Sequence, residues 1–357
     1  MFSGLEQPGR CAYSMSNPDT YRIYPPTEKV FATPEGLSHF FGYYYYSPLH
    51  QDEKRLLAHR CAFDGRKVEA SDRAEIGYFN LYDGSWHALG HTRAFNWQQG
   101  SMLHWHSEHS IAFNDREADR FVCRIADAET GKIIRNLPRA ISMESPDGKH
   151  AICTNWERIY YCRPGYNYQG IEKPEWDRPL HPEDGLFHMD MESGEVSRIL
   201  RTADFSEDPE CPQWLEHPII APDSRRFLFL HRFVRNEAIV TRLYTCDMDG
   251  RNLHAYPHFS FYSHAAWLNE REFCIFGREQ TRKALEQYTR HRNGLLRPLR
   301  PLLRAARKHL IPHKIQKTAL GGHYYIFDDT TQQYAPLPSE APPEDGHPSW
   351  TRNQRYM

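Results

Sequence analysis

Three histidines stand at matching places in a recurring pattern. His217, His264 and His347 each follow a small or polar residue (Glu216, Ser263, Gly346) near the start of a strand-like run. Neutral imidazoles that converge with an amide or a carboxylate suit divalent transition metals such as manganese, zinc or iron, and an imidazole can also take a proton near neutral pH. His39 precedes the first such run, Gln98 and Gln99 precede the second, and His104 and His106 lie inside the second. The plainer reading of each ring is a hydrogen bond to main chain that locks a turn, and both readings stay open. Arg232 and Arg158 could each clamp a carboxylate through parallel N–H bonds, or serve as ion pairs between sheets. The run Tyr43–Tyr46 reads as a strand whose alternate rings face the core or a stacking sugar, with Tyr44 a candidate for the sugar side.

Some chemistry is absent. The sequence holds no GxxxxGK[ST] or GxGxxG loop, no GxSxG elbow, no HExxH and no CxxC. That argues against nucleotide-dependent, serine-hydrolase and zinc-protease readings.

The elements that must position these residues come from an internal repeat. Strand-turn-strand units run Phe40–Arg60, Ser101–Asn114, Ile141–Trp156, Glu216–Arg232 and Ser263–Arg278, and another starts at Gly346. Each of the first five is followed by an alternating hairpin, at 76–89, 121–137, 186–200, 241–256 and 323–337. The hairpin turns YDGS, AETGK, MESGE and MDGRN supply the Gly, Asp or Asn that tight turns require. Four antiparallel strands repeated in this way predict an all-β fold, a β-propeller with about five complete four-stranded blades and a partial one. A β-sandwich with a helical insert would explain the alternation but not the recurrence. Residues 36–357 form the propeller domain, with insertions at 160–185 and 281–317. Residues 1–35 form an N-terminal segment whose stretches Tyr21–Tyr24 and Lys29–Ala32 offer closing strands.

Charge excludes further classes. There are 44 Lys and Arg against 46 Asp and Glu, a net charge of −2, which speaks against a globally basic nucleic-acid binder. Aromatic residues make up 13%, which favours strands and a large core. No stretch approaches the length of apolar sequence that spans a membrane as a helix, and the start lacks the basic and apolar regions of a secretory signal. The eight cysteines are scattered, as expected for small buried thiols in a reducing compartment, so the expected location is cytoplasmic.

The stretches FFGYYYYSP (40–48), NWQQGSMLHW (96–105), RPGYNYQG (163–170), FLFLHR (227–232), SHAAW (263–267) and DGHPSW (345–350) resemble a family of bacterial propeller proteins. That family is itself similar to oligogalacturonate lyases and TolB-like WD40 propellers. The resemblance spans about 36–357 and implies a propeller of seven-bladed type. It also implies a metal, manganese foremost, held by His and Gln at the channel mouth, with another His as base. Carried over to this sequence, His217 is the base with Arg232 beside it, and His264, His347 and Gln99 are the metal ligands. Tyr44, Gln98, His104 and Arg158 are the substrate-binding residues. The reaction so implied is β-elimination on a uronate-containing saccharide. The rival expectation is a propeller without catalysis that binds a glycan or protein and is associated with surface polysaccharide assembly.

One segment points elsewhere. Residues 281–317 hold 11 Lys and Arg against the single acid Glu286, a net +10 that leaves −12 for the rest of the chain. Leucines 295, 296, 299, 302, 303 and 310 fall near helical spacing, broken by Pro298 and Pro301. A short basic amphipathic helix is expected from about Pro301. It is either a solvated insertion or a contact with an anionic inner-membrane surface or an acidic partner, and aromatic interleaving of the kind that binds nucleic acid is lacking.

Overall fold

In each sheet the strands follow one another in chain order. The computed structural model describes residues 31–235, 238–257, 259, 261–278, 322–337 and 346–348. Among them the first sheet comprises β1 (Ser38–Phe40), β2 (Arg55–Cys61), β3 (Ala74–Asn80) and β4 (Trp86–Thr92). The second comprises β5 (His104–Ser107), β6 (Ser110–Glu117), β7 (Arg120–Asp127) and β8 (Ile133–Leu137). The third comprises β9 (Met143–Glu144), β10 (His150–Cys153), β11 (Gly185–Asp190) and β12 (Val196–Arg201). The fourth comprises β13 (Gln213–Ile220), β14 (Arg226–Arg235), β15 (Ala238–Asp247) and β16 (His254–Ala255). The fifth comprises β17 (Phe261–Trp267), β18 (Glu272–Arg278), β19 (His323–Asp328) and β20 (Tyr334–Pro336). The repeat units and hairpins read from the sequence coincide with these pairs of strands.

The third strand of every sheet ends in Asn or Asp: Asn80, Asp127, Asp190, Asp247 and Asp328. At Asn80, Asp127, Asp190 and Asp328 the side chain accepts from the amides of the coming turn. Asp127 Oδ1 takes Glu129 N at 3.1 Å and Thr130 N at 2.8 Å, and Asp190 Oδ1 takes Glu192 N at 3.0 Å and Ser193 N at 2.7 Å. Such a turn reverses the chain without leaving amides unsatisfied. Gly131 completes one of them with φ +68°, where a Cβ would stand 2.1 Å from the Leu89 carbonyl oxygen.

The chain packs as two compact units. One is Pro26–Ile239 with Tyr244–Leu253; the other contains Val240–Leu243 and His254 onward. In the first, the core joins Ala112, Cys123, Ile141, Ala151, Cys153, Trp156 and Trp214. In the second, Cys274, Phe276 and Tyr324 form a core cluster. Middle strands such as β6 and β14 are buried over most of their length, on both faces. The cysteines of the apolar runs, Cys123, Cys153, Cys246 and Cys274, are all buried.

Two local readings change. Tyr43–Tyr46 is a turn closed by Tyr46 N donating to Tyr43 O at 3.1 Å, not a strand. Four aromatic residues in a row mimic strand composition, but Gly42 before them and Pro48 after them interrupt extended pairing. Within 160–185 the chain contains the end of α1 (Trp156–Cys162) and a 3₁₀ turn at Pro174–Trp176. The stretch Tyr21–Tyr24, residues 29 and 30, the insertion 281–317 and the sixth unit beyond Pro348 lie outside the described residues. Phe31 and Ala32 belong to no strand.

Candidate functional site

The innermost strand of three sheets carries a β-bulge, and each bulge holds a histidine. In β5 the register shifts between Trp105 and Ser107, so His106 is the extra residue. In β13 it shifts between Glu216 and Ile219, so His217 and Pro218 oppose one residue of β14. In β17 it shifts between Tyr262 and Ala265, so Ser263 and His264 oppose one residue of β18. The expectation that His217 and His264 open their strands is thereby corrected: both sit mid-strand, where the extra residue bends the ladder and re-aims the side chain. His217 does so at φ +53°, a left-handed backbone conformation that a non-glycine residue adopts only under surrounding constraint.

His217 is enclosed by side chains from distant parts of the first unit. Its Nδ1 is hydrogen-bonded to the Tyr45 hydroxyl at 2.9 Å, and its Nε2 lies 3.5 Å from Glu216 Oε1. Tyr43 stacks on the ring at 5.7 Å, and Tyr166 meets it edge-on at 5.7 Å. Glu216 in turn pairs with Arg232 Nε at 2.7 Å and with Arg163 Nε at 3.5 Å. Burial alone would raise the Glu216 carboxyl, but Arg232, His217 and Arg163 outweigh it and hold the pKa at about 2. A carboxylate beside Nε2 favours the tautomer with its proton there, which leaves Nδ1 to accept from Tyr45. Burial, with Tyr44, Tyr43 and Glu216 nearby, pushes the Tyr45 phenol well above its ordinary value.

Gln99 is buried and shares with Tyr45, Tyr166, Glu216 and His217 the lining of a cavity of about 20 Å³. That is room for roughly one water molecule. The main-chain N–H of Gln98 donates to Asn96 Oδ1 at 3.0 Å. Tyr44 is half-buried against Tyr43 and Tyr45. Arg158 is fully buried in α1 and donates to the carbonyls of Trp176 at 2.6 Å, Pro179 at 2.8 Å and Gln213 at 3.0 Å. His104 is buried with Nδ1 2.8 Å from the Met102 carbonyl and Nε2 3.0 Å from Glu144 Oε2, and Tyr46 stacks on it at 3.9 Å.

In the second unit His264 and His347 are brought together, their ring centres 4.4 Å apart and their planes at 79°. Tyr324 holds the second of these segments. Its hydroxyl donates to Gly346 O at 3.1 Å and accepts from Gly346 N at 2.9 Å. The Ser263 hydroxyl lies 3.0 Å from His264 Nδ1, the outer contact that typically orients a ligating imidazole. Among the described residues, no group of three or more His, Cys, Asp and Glu is arranged to hold a metal ion.

No family model and no curated protein matches the sequence. Among solved structures, an oligogalacturonate lyase in complex with manganese is similar over 85% of this chain and 67% of that chain, at 15% identity and a TM-score of 0.52. The oligogalacturonate lyase of Vibrio parahaemolyticus is similar over the same shares at 15% identity and a TM-score of 0.50. TolB from Acinetobacter baumannii matches over 80% of this chain and 53% of that chain, at 13% identity and a TM-score of 0.38. The fold is thus all-β, of the β-propeller kind, and its likeness to oligogalacturonate lyases agrees with the fold that the sequence resemblance implied.

Sequence reasoning singled out histidines and missed their partners. Tyr45 was hidden in a run of four tyrosines. Glu216 stands directly beside His217, and Glu144 interrupts an otherwise apolar stretch before the SPDG turn. An acidic residue inside a buried inner strand was the available signal, because such a charge needs a partner.

Proposed function

We propose that this chain is a lyase-like propeller acting on uronate-containing saccharides by β-elimination, with His217 and Tyr45 as its proton-transfer pair. The observation that carries the reading is the 2.9 Å hydrogen bond between them, set on an inner-strand bulge of a fold shared with oligogalacturonate lyases.

His217 Nδ1 takes the proton from C5 of the uronate. The C4–O bond breaks, C4 and C5 become doubly bonded, and the departing oxygen takes the Tyr45 hydroxyl proton. The imidazolium then returns its proton to the phenolate across their hydrogen bond, so the pair ends as it began. Glu216 stabilises the imidazolium, and Arg232, which pairs with Glu216 and not with the sugar, is a positioning residue. The cavity beside His217 has room for about one water molecule, so a saccharide reaches the ring only if lining side chains move. In the second unit, a divalent ion such as manganese held by His264 and His347 would supply Lewis acidity.

The size of that cavity favours a second reading, a glycan- or protein-binding scaffold at the inner membrane without catalysis. One assay separates the two. Oligogalacturonates with manganese should yield an ultraviolet-absorbing unsaturated product, and His217→Ala should lower its rate by about 10²–10⁴. Absence of product, or an unchanged rate in the variant, leaves only the scaffold.

A further inference from the structure

A second cleft lies between the second and third sheets, away from His217. Its volume is about 360 Å³, within the range of small-molecule sites. His106, the bulge residue of β5, stands on its wall and is one-fifth exposed. The ring is held from behind: its Nδ1 lies 2.7 Å from Oε1 of Glu144, a buried carboxylate on β9. A carboxylate only accepts, so Nδ1 carries the proton and Nε2 is left with its lone pair, the arrangement in which a buried acid fixes a histidine's tautomer.

Glu144 is firmly ionised. Burial would raise its carboxyl, but His104 and His106 hold it below the ordinary value. His104 faces the Met102 carbonyl through Nδ1 and Glu144 through Nε2, so both its ring nitrogens meet acceptors.

The rest of the cleft is two-sided. Ile125, Ile134 and Met191 give it an apolar wall. Lys149 and Arg135 bring positive charge, with Asp147 near enough to Lys149 to feel its charge. Arg135 donates to the carbonyls of Met191 at 2.6 Å and Glu192 at 2.7 Å, which fixes its position. Of the acids present, Asp190 is occupied by the amides of its own turn, and Glu192 is exposed at the rim.

We propose that this cleft is a binding site for a small sugar acid or sugar phosphate, which donates a hydroxyl proton to His106 Nε2, places its oxyanion by Lys149 and lays its apolar face on Ile134. The shared chemistry is an oxyanion and a hydroxyl on one ring of monosaccharide size.

Calorimetric titration of the full chain with D-galacturonate, glucose 6-phosphate and neutral galactose tests the assignment. At least one of the two acidic ligands binds, and galactose binds at least about tenfold more weakly, the loss expected without a charge-assisted hydrogen bond. Lys149→Ala, an exposed turn substitution that leaves folding intact, weakens the acidic ligand by about tenfold, and His106→Gln weakens it further. If neither acidic ligand binds more tightly than galactose, or if Lys149→Ala binds it as the parent does, the assignment is wrong. Sensitivity to Lys149 separates this cleft from any saccharide bound near His217, so its failure and that of the lyase reading are distinguishable.

Discussion

The Tyr45 hydroxyl and His217 Nδ1 meet at 2.9 Å although 172 positions separate them in the chain. The turn 43–46 leads out of the first sheet and delivers Tyr45 to a bulge in the fourth, so the contact exists only in the folded first unit. Tyr45→Phe keeps the ring and removes this bond. Stability should fall by only about 1 kcal/mol, whereas kcat on a uronate oligosaccharide should fall by about 10². Thermal melts and initial rates together check this; a variant that loses stability but keeps kcat assigns Tyr45 to packing alone.

Glu216 ties His217 to Arg232 and Arg163. Its folded pKa of about 2 lies below the ordinary 4.5. The unfolded chain therefore binds the proton more readily, so this group's contribution is complete above about pH 4.5 and is lost as pH falls toward 2. Urea unfolding of the parent and of Glu216→Gln across that window should show their stability difference shrinking with acid. Glu216→Gln should also cost about 3–5 kcal/mol at neutral pH, because buried Arg232 and half-buried Arg163 lose their anion. A difference that does not change with pH would contradict the ion-pair account.

Arg158 closes the segment between α1 and β13 by donating to three main-chain carbonyls. Arg158→Met preserves much of the volume and leaves those acceptors unsatisfied. The expected loss is several kcal/mol, about 1–3 for each orphaned group, with hydrogen exchange quickening first around Pro174–Gln213. Near-parental stability with impaired sugar binding would instead favour a substrate role for this guanidinium.

How much could be read beforehand differs by level. The period-2 pattern and the Asp/Asn turns placed all five strand-turn-strand units and their hairpins, since a half-buried strand repeats every two residues whatever its neighbours do. Bulges escaped, because one extra residue leaves composition unchanged and only shifts which side each later residue faces. For that reason His217 and His264 could be noticed but not placed mid-strand, and the bulge at His106, though its strand was read, went unseen. The Glu144 and Glu216 pairings escaped for a different reason. Glu144 meets His106 38 positions away and Tyr46 98 positions away, which local spacing does not encode, and the partners of Glu216 meet it only across the folded sheet.

The basic stretch 281–317 leaves and rejoins the fifth sheet at adjacent strand ends, where Gly277 pairs with His323. A short turn can therefore replace it without disturbing β18 or β19. The parent chain should sediment with vesicles containing anionic lipid, more weakly as salt rises, and the excised form should stay in solution. Equal sedimentation of both forms would remove the membrane attachment.

The most direct test of the lyase reading is the mass of what is made. Cleavage by elimination adds no water, so the two fragments of a uronate oligosaccharide should together weigh what the substrate weighed, one of them unsaturated, and both should disappear with His217→Ala. Fragments that together exceed the substrate by one water, or no cleavage at all in the presence of manganese, would contradict it.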